Sequence, residues 1–295
     1  MAQSSNQQEI SRDGGALREA ERATRQLAKS HYENFLVASV LLPHRIRQSF
    51  YNVYAFCRTA DDIADESPSP GVALQKLEHL QQQLDLVFQG CPEEPLFIAL
   101  ESTVRQHGIP KKPFDDLLDA FRQDQHRNRY ESFAELADYC CRSANPVGRI
   151  VLHLGDSFTD ENGGFSDRIC TGLQLANFWQ DVARDFELGR IYVPREEMCR
   201  FGVDEAMFGQ AVTAQPLRRL LASECDRAES LLREGLPLAE RVSPWLSSDV
   251  KLFAHGGLRT LRAIRGIDYD VLSSRPTVGK LQQAVLVLRA FFGWL

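Results

Sequence analysis

The chain has 295 residues and a mass of 33.4 kDa, a length that allows one large hydrophobic core or two small ones. Its formal net charge of −6 and pI near 5.7 argue against a broad nucleic-acid surface, because such a surface needs clustered lysine and arginine. A hydrophobic content of 43% with 25% charged residues is ordinary for a soluble globular protein, and we expect no nucleic-acid partner.

The cysteines and the two termini bear on cellular location. Seven cysteines occur without a CxxC pair, so reduced thiols in a cytosolic protein are expected. Residues 1–15 have no apolar core of the signal-peptide kind, and no apolar run reaches the ~18 residues that cross a bilayer. The sequence therefore predicts a cytoplasmic protein, while contact of residues 281–295 with the inner membrane face stays open.

Helical periodicity runs through nearly the whole chain, with no alternating run typical of a strand. We expect a polar N-terminal segment at residues 1–30 and a single all-α domain at residues 31–295. Within 166–189, Ser166 is the expected cap and Gly189 the expected stop. The helices predicted in chain order are 44–66, 72–88, 95–107, 112–126, 131–154 with a break near Asn145-Pro146, 166–189, 212–236, 245–265 and 277–293, with 190–210 irregular or short-helical.

Negative charge gathers on one helix face in the stretch YAFCRTADDIADE, residues 54–66. Tyr54, Arg58, Asp61 and Asp65 fall at offsets 0, 4, 7 and 11, which keeps them within a stripe roughly 60° wide. Asp62 adds a further carboxylate beside the stripe. One such cluster alone is also compatible with a solvated acidic face, or with the DDxxD signature of a chain-elongating prenyltransferase.

A second polar stripe has matching spacing. Gln174, Asn177, Asp181 and Asp185 fall at offsets 0, 3, 7 and 11, within roughly 80° of one helix face. Carboxylates one turn apart repel each other by a few tenths of a kcal/mol when exposed, and by more where water is excluded. Mg²⁺ relieves this repulsion, and it usually keeps water or phosphate oxygens among its ligands. The two stripes therefore predict a diphosphate held through Mg²⁺ between two acidic helices.

The stretches YNVYAFCRTADDIADE and GLQLANFWQDVARDFELGRIYVP, at 51–66 and 172–194, resemble the squalene/phytoene synthases. These enzymes are the head-to-head branch of the all-α isoprenoid synthases, and the similarity extends from about residue 31 onward. The resemblance implies the class I isoprenoid synthase fold, a helical bundle with a central cavity. It also implies an isoprenoid diphosphate substrate and two or three Mg²⁺ ions. The metal ligands implied are Asp61, Asp62, Asp65, Asn177, Asp181 and Asp185.

The resemblance also implies roles in substrate binding and catalysis. Tyr139 matches a tyrosine near the reacting carbons, and Tyr54 is a candidate aromatic face for stabilising a carbocation. Asn145 is a candidate for holding a water because it is a polar departure inside an otherwise small, apolar segment. The alternative for Asn145-Pro146 is a helix kink with a capped backbone. The groups expected to contact the substrate and its diphosphate are His31, Phe35, Arg58, Gln174, Asn177, Arg190 and Tyr192.

Within the family, SANPVG and QDVARD look most like a bacterial branch of hopanoid synthesis. Membership of that branch implies conversion of presqualene diphosphate and water into hydroxysqualene and diphosphate. The alternatives are condensation of two farnesyl diphosphates to presqualene diphosphate, squalene or dehydrosqualene, and a non-catalytic assembly factor with the same fold. No GxGxxG fingerprint occurs, so no NADPH is expected. Functional coupling to other enzymes of the squalene pathway stays open.

Overall fold

The computed structural model describes residues 2–30 and 42–276, with side chains from residue 15 onward. These residues form twelve α-helices and three 3₁₀ turns and contain no β-strand, which confirms the all-α prediction. The chain divides into two compact units, Met1–His126 and Arg127–Leu295. None of the described helices is long and apolar enough to cross a bilayer.

In the first unit, α2 is the central helix, and α1, α3, α4 and α5 pack against it. Phe56 of α2 anchors this core, because its ring lies edge to face with Phe97 at 6.3 Å and with Phe114 at 5.3 Å. The helices are α1 Ala2–Ser30, α2 Arg47–Glu66 preceded by a 3₁₀ turn at His44–Ile46, α3 Pro70–Gln89, α4 Pro95–His107 and α5 Lys112–Asp124.

A buried hydrogen-bond network sets the rotation of α2. The Asn52 amide donates to the Ala99 carbonyl and to Thr103 Oγ1, both at 2.9 Å, and its oxygen accepts from Thr24 Oγ1 at 2.6 Å. Losing one partner of a buried amide costs about 1–3 kcal/mol. The network therefore fixes which face of α2 is buried, and with it the direction of the acidic stripe.

In the second unit, α8 is the central helix, and α7, α11 and α12 pack against it. Gly172 permits the close approach of α11, because a Cβ there would lie 2.8 Å from Leu232 Cγ and 3.1 Å from the Ala228 carbonyl oxygen. The helices are α6 Phe133–Ser143, α7 Asn145–Leu154, α8 Asp160–Gln180, α9 Val182–Glu187, α10 Arg195–Phe201, α11 Gln215–Gly235 and α12 Pro244–Gly266, with 3₁₀ turns at Glu205–Gly209 and Leu236–Glu240.

The predicted break near Asn145-Pro146 is confirmed, but the start predicted for the helix over 166–189 is wrong. Helix α8 begins six residues earlier, because Thr159 Oγ1 accepts from the Asn162 amide at 3.1 Å and caps it. Ser166 is instead buried within α8. The predicted helix is also interrupted at Asp181, and its predicted stop at Gly189 is confirmed by a left-handed φ of 76°. The predicted helix 277–293 lies outside the described residues.

Candidate active site

The first acidic motif lies on the carboxyl-terminal half of α2, gathered around one arginine. Arg58 Nη1 lies 3.1 Å from Asp61 Oδ2, and Nη2 lies 2.5 Å from Asp62 Oδ1 and 3.9 Å from Glu66 Oε1. The Arg58 side chain is 25% exposed, whereas that of Glu66 is 73% exposed. One guanidinium therefore faces three carboxylates, and the motif keeps an excess of negative charge.

The environment of this motif disfavours a charged Asp61. Burial raises the pKa of the Asp61 carboxyl above its ordinary value, and neighbouring Asp65 raises it further, while Arg58 acts in the opposite direction. Burial likewise raises the pKa of the Tyr54 phenol. Asp61 therefore carries unrelieved repulsion that a bound divalent cation would remove.

The second acidic motif occupies the junction of α8 and α9. The Asp181 amide donates to the Asn177 carbonyl at 2.9 Å, and the Asp185 amide donates to the Asp181 carbonyl at 2.8 Å. These bonds preserve the one-turn spacing of the motif across the interruption at Asp181. Asn177 is exposed and Gln174 is half-buried. All four predicted residues thus follow one another along this junction.

Asp185 is the most perturbed acid of the second motif. Its pKa rises to about 6, first because of burial and then because of the Asp181 charge. Arg190 and Arg184 oppose this rise. The Asp181 charge thus raises the pKa of Asp185, as the Asp65 charge raises the pKa of Asp61 on α2.

Arg275 is a residue of this site that no feature of the sequence predicted. Its guanidinium holds both oxygens of Asp181, with Nη2 at 3.0 Å from Oδ2 and Nε in contact with Oδ1. The next residue, Pro276, accepts from Gln180 Nε2 at 2.6 Å. The Asp181 carboxylate raises the pKa of Arg275 above its ordinary value. A predicted metal ligand is therefore paired with an arginine 94 positions away in the chain.

The turn before Arg190 and Tyr192 is held by the backbone of a neighbouring segment. The Arg190 amide donates to the Asp185 carbonyl at 2.7 Å, and the Ile191 amide donates to the Asn128 carbonyl at 3.0 Å. Arg129 Nη1 donates to the Gly189 carbonyl at 2.7 Å. The segment that carries Arg190 and Tyr192 is thus tied directly to the second acidic motif.

Tyr139 and Tyr192 meet in an aromatic cluster with Tyr130 and Phe178. Tyr192 stacks on Phe178 with 3.8 Å between ring centroids, and Tyr139 lies 6.1 Å from Tyr192 and 6.4 Å from Phe178. Tyr130 lies 5.6 Å from Tyr139. Because Phe178 adjoins Asn177 on α8, the cluster places an aromatic surface beside the second acidic motif.

Asn145 is buried at the start of α7 and hydrogen-bonded to α8. Its Oδ1 accepts from Thr171 Oγ1 at 2.9 Å, and its Nδ2 lies 3.6 Å from Cys141 Sγ. These contacts hold α7 on α8. That Asn145 also holds a water molecule stays a prediction. His31 and Phe35 lie outside the described residues.

Metal-ligand chemistry at these motifs is that of oxygen donors. Among the described side chains, no group of three or more His, Cys, Asp and Glu is gathered into an all-protein metal site. The metal ligands predicted in the two acidic motifs are five carboxylates and one amide, which suit a hard cation such as Mg²⁺.

Comparison with known proteins places the chain in a family. The squalene/phytoene synthase family model matches residues 28–282. Hydroxysqualene synthase of Rhodopseudomonas palustris is 37% identical over 247 residues, covering 82% of each chain. The 15-cis-phytoene synthase of Synechococcus elongatus is 29% identical, covering 95% of this chain and 96% of that protein. The crystal structure of squalene synthase HpnC from Alicyclobacillus acidocaldarius matches with a TM-score of 0.83 at 40% identity, covering 86% and 96% respectively.

These matches span most of the chain, and the structural match agrees with the all-α architecture described above. The resemblance predicted from the sequence is confirmed, and the chain belongs to the squalene/phytoene synthase family.

Proposed function

We propose that the protein is a hydroxysqualene synthase, which converts presqualene diphosphate and water into hydroxysqualene and diphosphate. The observation that carries this proposal is its 37% identity to a hydroxysqualene synthase, against 29% to a phytoene synthase. The 40% identity to a bacterial squalene synthase structure likewise supports the squalene branch of the family over the phytoene branch. Phytoene synthases belong to the same family but match this chain at lower identity, 29% and 30% for two cyanobacterial examples.

Magnesium is proposed as the metal cofactor because the residues fit it. Asp61 and Asp185 both have a raised pKa, which indicates carboxylates whose charge is poorly compensated by the protein. When bound, Mg²⁺ would neutralise negative charge on a leaving diphosphate. The residues that would hold it are Asp61, Asp62, Asp65, Asn177, Asp181 and Asp185.

Arg58 and Arg190 are proposed to stabilise the departing diphosphate. The bond between the cyclopropylcarbinyl carbon and the diphosphate oxygen breaks, and both electrons leave with the oxygen. Charge-assisted hydrogen bonds from guanidinium groups strengthen as that negative charge develops. Their effect on the rate therefore exceeds their effect on substrate binding.

The carbocation that remains must be kept from water until its skeleton has rearranged. The cluster of Tyr130, Tyr139, Phe178 and Tyr192 offers aromatic faces that attract a cation. Water then adds through its oxygen to the rearranged carbocation and loses a proton to solvent or to released diphosphate, which yields the alcohol. Asn145 is the proposed holder of that water.

Direct assay of purified protein tests the reaction. We expect Mg²⁺ and presqualene diphosphate, without nicotinamide, to give hydroxysqualene whose hydroxyl carries ¹⁸O when the solvent is H₂¹⁸O. Farnesyl diphosphate serves as the matched alternative substrate. Consumption of farnesyl diphosphate to give presqualene diphosphate, squalene or dehydrosqualene would assign the condensing activity instead. No turnover of either diphosphate would favour the non-catalytic assembly factor.

Removal of Arg275 is expected to tighten metal binding at the second motif. In Arg275→Gln the Asp181 carboxylate loses the guanidinium that competes for both its oxygens. A half-exposed ion pair contributes up to about 1 kcal/mol, so Mn²⁺ affinity should rise roughly two- to five-fold without substrate. Electron paramagnetic resonance of free Mn²⁺ measures this affinity.

Arg219→Gln is the control for that measurement. Arg219 is an exposed residue of α11, and its replacement removes the same charge from the same unit. Equal affinities in all three proteins would show that Arg275 does not compete with metal at Asp181.

A further inference from the structure

A basic cavity lies in the first unit, where the end of α1 meets the start of α2. Its volume is about 230 Å³. Among the described side chains that line it, four of six are basic and none is acidic, although the whole chain has a net charge of −6. The lining residues are Arg25, Lys29, His44, Arg47, Gln48 and Tyr51.

The basic groups of this cavity are not neutralised by carboxylates of the described chain. Arg25 bonds to a neutral partner, with Nε at 3.0 Å and Nη2 at 2.6 Å from Gln48 Oε1. Arg47 Nε donates to the Leu42 carbonyl at 3.0 Å. Within residues 15–30 and 42–276, no ion pair joins Arg25, Lys29 or Arg47 to an acid. Cationic side chains this close together repel one another, and a bound anion would relieve that repulsion.

A hydrogen-bond network beneath the cavity holds Arg25 in position. Gln48 Nε2 donates to Thr24 Oγ1 at 3.1 Å and to Asn52 Oδ1 at 2.9 Å. Its amide oxygen is thereby directed to the Arg25 guanidinium, which is held before any ligand arrives. Preorganisation of this kind reduces the entropy that binding would otherwise cost.

We propose that this cavity binds a phosphoryl anion, either a phospholipid headgroup or free phosphate. Its volume corresponds to roughly eight waters at ~30 Å³ each and is below the ~300 Å³ at which drug-sized pockets begin. Arginine presents paired N–H donors that match two phosphate oxygens, and lysine adds a point charge. None of the lining residues belongs to the acidic motifs, so the site is independent of the proposed reaction.

The test compares two double variants that remove the same charge, one residue from α1 and one from the start of α2 or the 3₁₀ turn before it. Arg25→Gln with Arg47→Gln alters the cavity. Arg22→Gln with Arg45→Gln alters exposed neighbours that do not line it. Each protein is sedimented with phosphatidylcholine vesicles, with and without phosphatidylglycerol, and is separately titrated with inorganic phosphate by calorimetry in EDTA. Thermal unfolding confirms that each variant is folded, and Lys29→Glu provides a second cavity variant on an exposed residue.

If the ligand is a lipid headgroup, the cavity variant should lose about thirty-fold in binding to phosphatidylglycerol vesicles, and the control less than about three-fold. If the ligand is free phosphate, the calorimetric heat should vanish in the cavity variant and persist in the control. The proposal is overturned if the wild-type protein binds in neither arm, or if the control loses as much as the cavity variant, which would indicate diffuse surface charge.

Discussion

Asp61→Asn is expected to lower kcat on the order of 10³-fold while the protein remains folded. The substitution keeps the shape of the side chain but removes the negative oxygen proposed to hold Mg²⁺. Burial already raises the pKa of Asp61, so the fold favours the neutral form of this side chain. The thermal midpoint in metal-free buffer should therefore stay unchanged or rise, which separates lost chemistry from lost structure.

Glu66→Gln is the matched control for that experiment. Glu66 lies on the same helix and also faces Arg58, but at 3.9 Å and with 73% of its side chain exposed. Its removal should change kcat by less than about three-fold, since exposed charges are strongly screened. Steady-state release of diphosphate from presqualene diphosphate measures both variants. An Asp61→Asn enzyme within tenfold of wild type, or an equal loss in Glu66→Gln, would remove Asp61 from the proposed metal site.

Asp249→Asn is expected to stabilise the protein at alkaline pH. Asp249 lies on α12 with 4% of its surface exposed, and its Oδ1 has no hydrogen-bond partner among the described residues. Burial alone raises the pKa of its carboxyl to about 7. The unfolded chain ionises Asp249 near its ordinary pKa, whereas the folded protein resists ionisation until about pH 7.

The sign of this effect follows from linkage between folding and protonation. Below the pKa of Asp249 in the unfolded chain, the carboxyl is neutral in both states and does not affect the free energy of unfolding. As pH rises from there toward the pKa in the folded protein, keeping the carboxyl neutral destabilises the folded state progressively. Because one pKa unit corresponds to about 1.4 kcal/mol, the cost above pH 7 reaches up to about 4 kcal/mol. Asparagine carries no charge and avoids this cost at every pH.

Denaturant unfolding at pH 5 and pH 8 measures the expected gain. The free energy of unfolding of Asp249→Asn should exceed that of wild type by more at pH 8 than at pH 5. Glu240→Gln replaces an exposed carboxylate in the same unit and should show no such pH-dependent gain. A gain of equal size at both pH values would mean that Asp249 is not held neutral by the fold.

The helical architecture was predictable because helix formation in this chain is signalled locally. Proline and glycine mark the ends of α3 and α4, and apolar spacing of three and four marks their buried faces. The predicted span 95–107 coincides with Pro95–His107. The start of α8 was missed because the stretch before Ser166 has weak apolar periodicity, and the cap at Thr159 lies outside the expected span.

The two acidic motifs were likewise predictable, because a fixed helical pitch converts spacing into a shared face. The helical pitch does not predict hydrogen-bond or ion-pair partners from distant parts of the chain. Arg275 at Asp181 and Thr171 at Asn145 are such partners, separated by 94 and 26 positions. Their pairing depends on how α8 packs with its neighbours.

Helical periodicity thus predicted the fold class and the placement of the acidic residues on their helices, and the resemblance of two motifs indicated the family. Tertiary packing determined which carboxylates are buried, which arginines reach them, and how far Asp185 and Asp249 resist ionisation. The physical reason is that helix periodicity is a property of neighbouring residues, whereas desolvation and ion pairing depend on distances between segments remote in sequence.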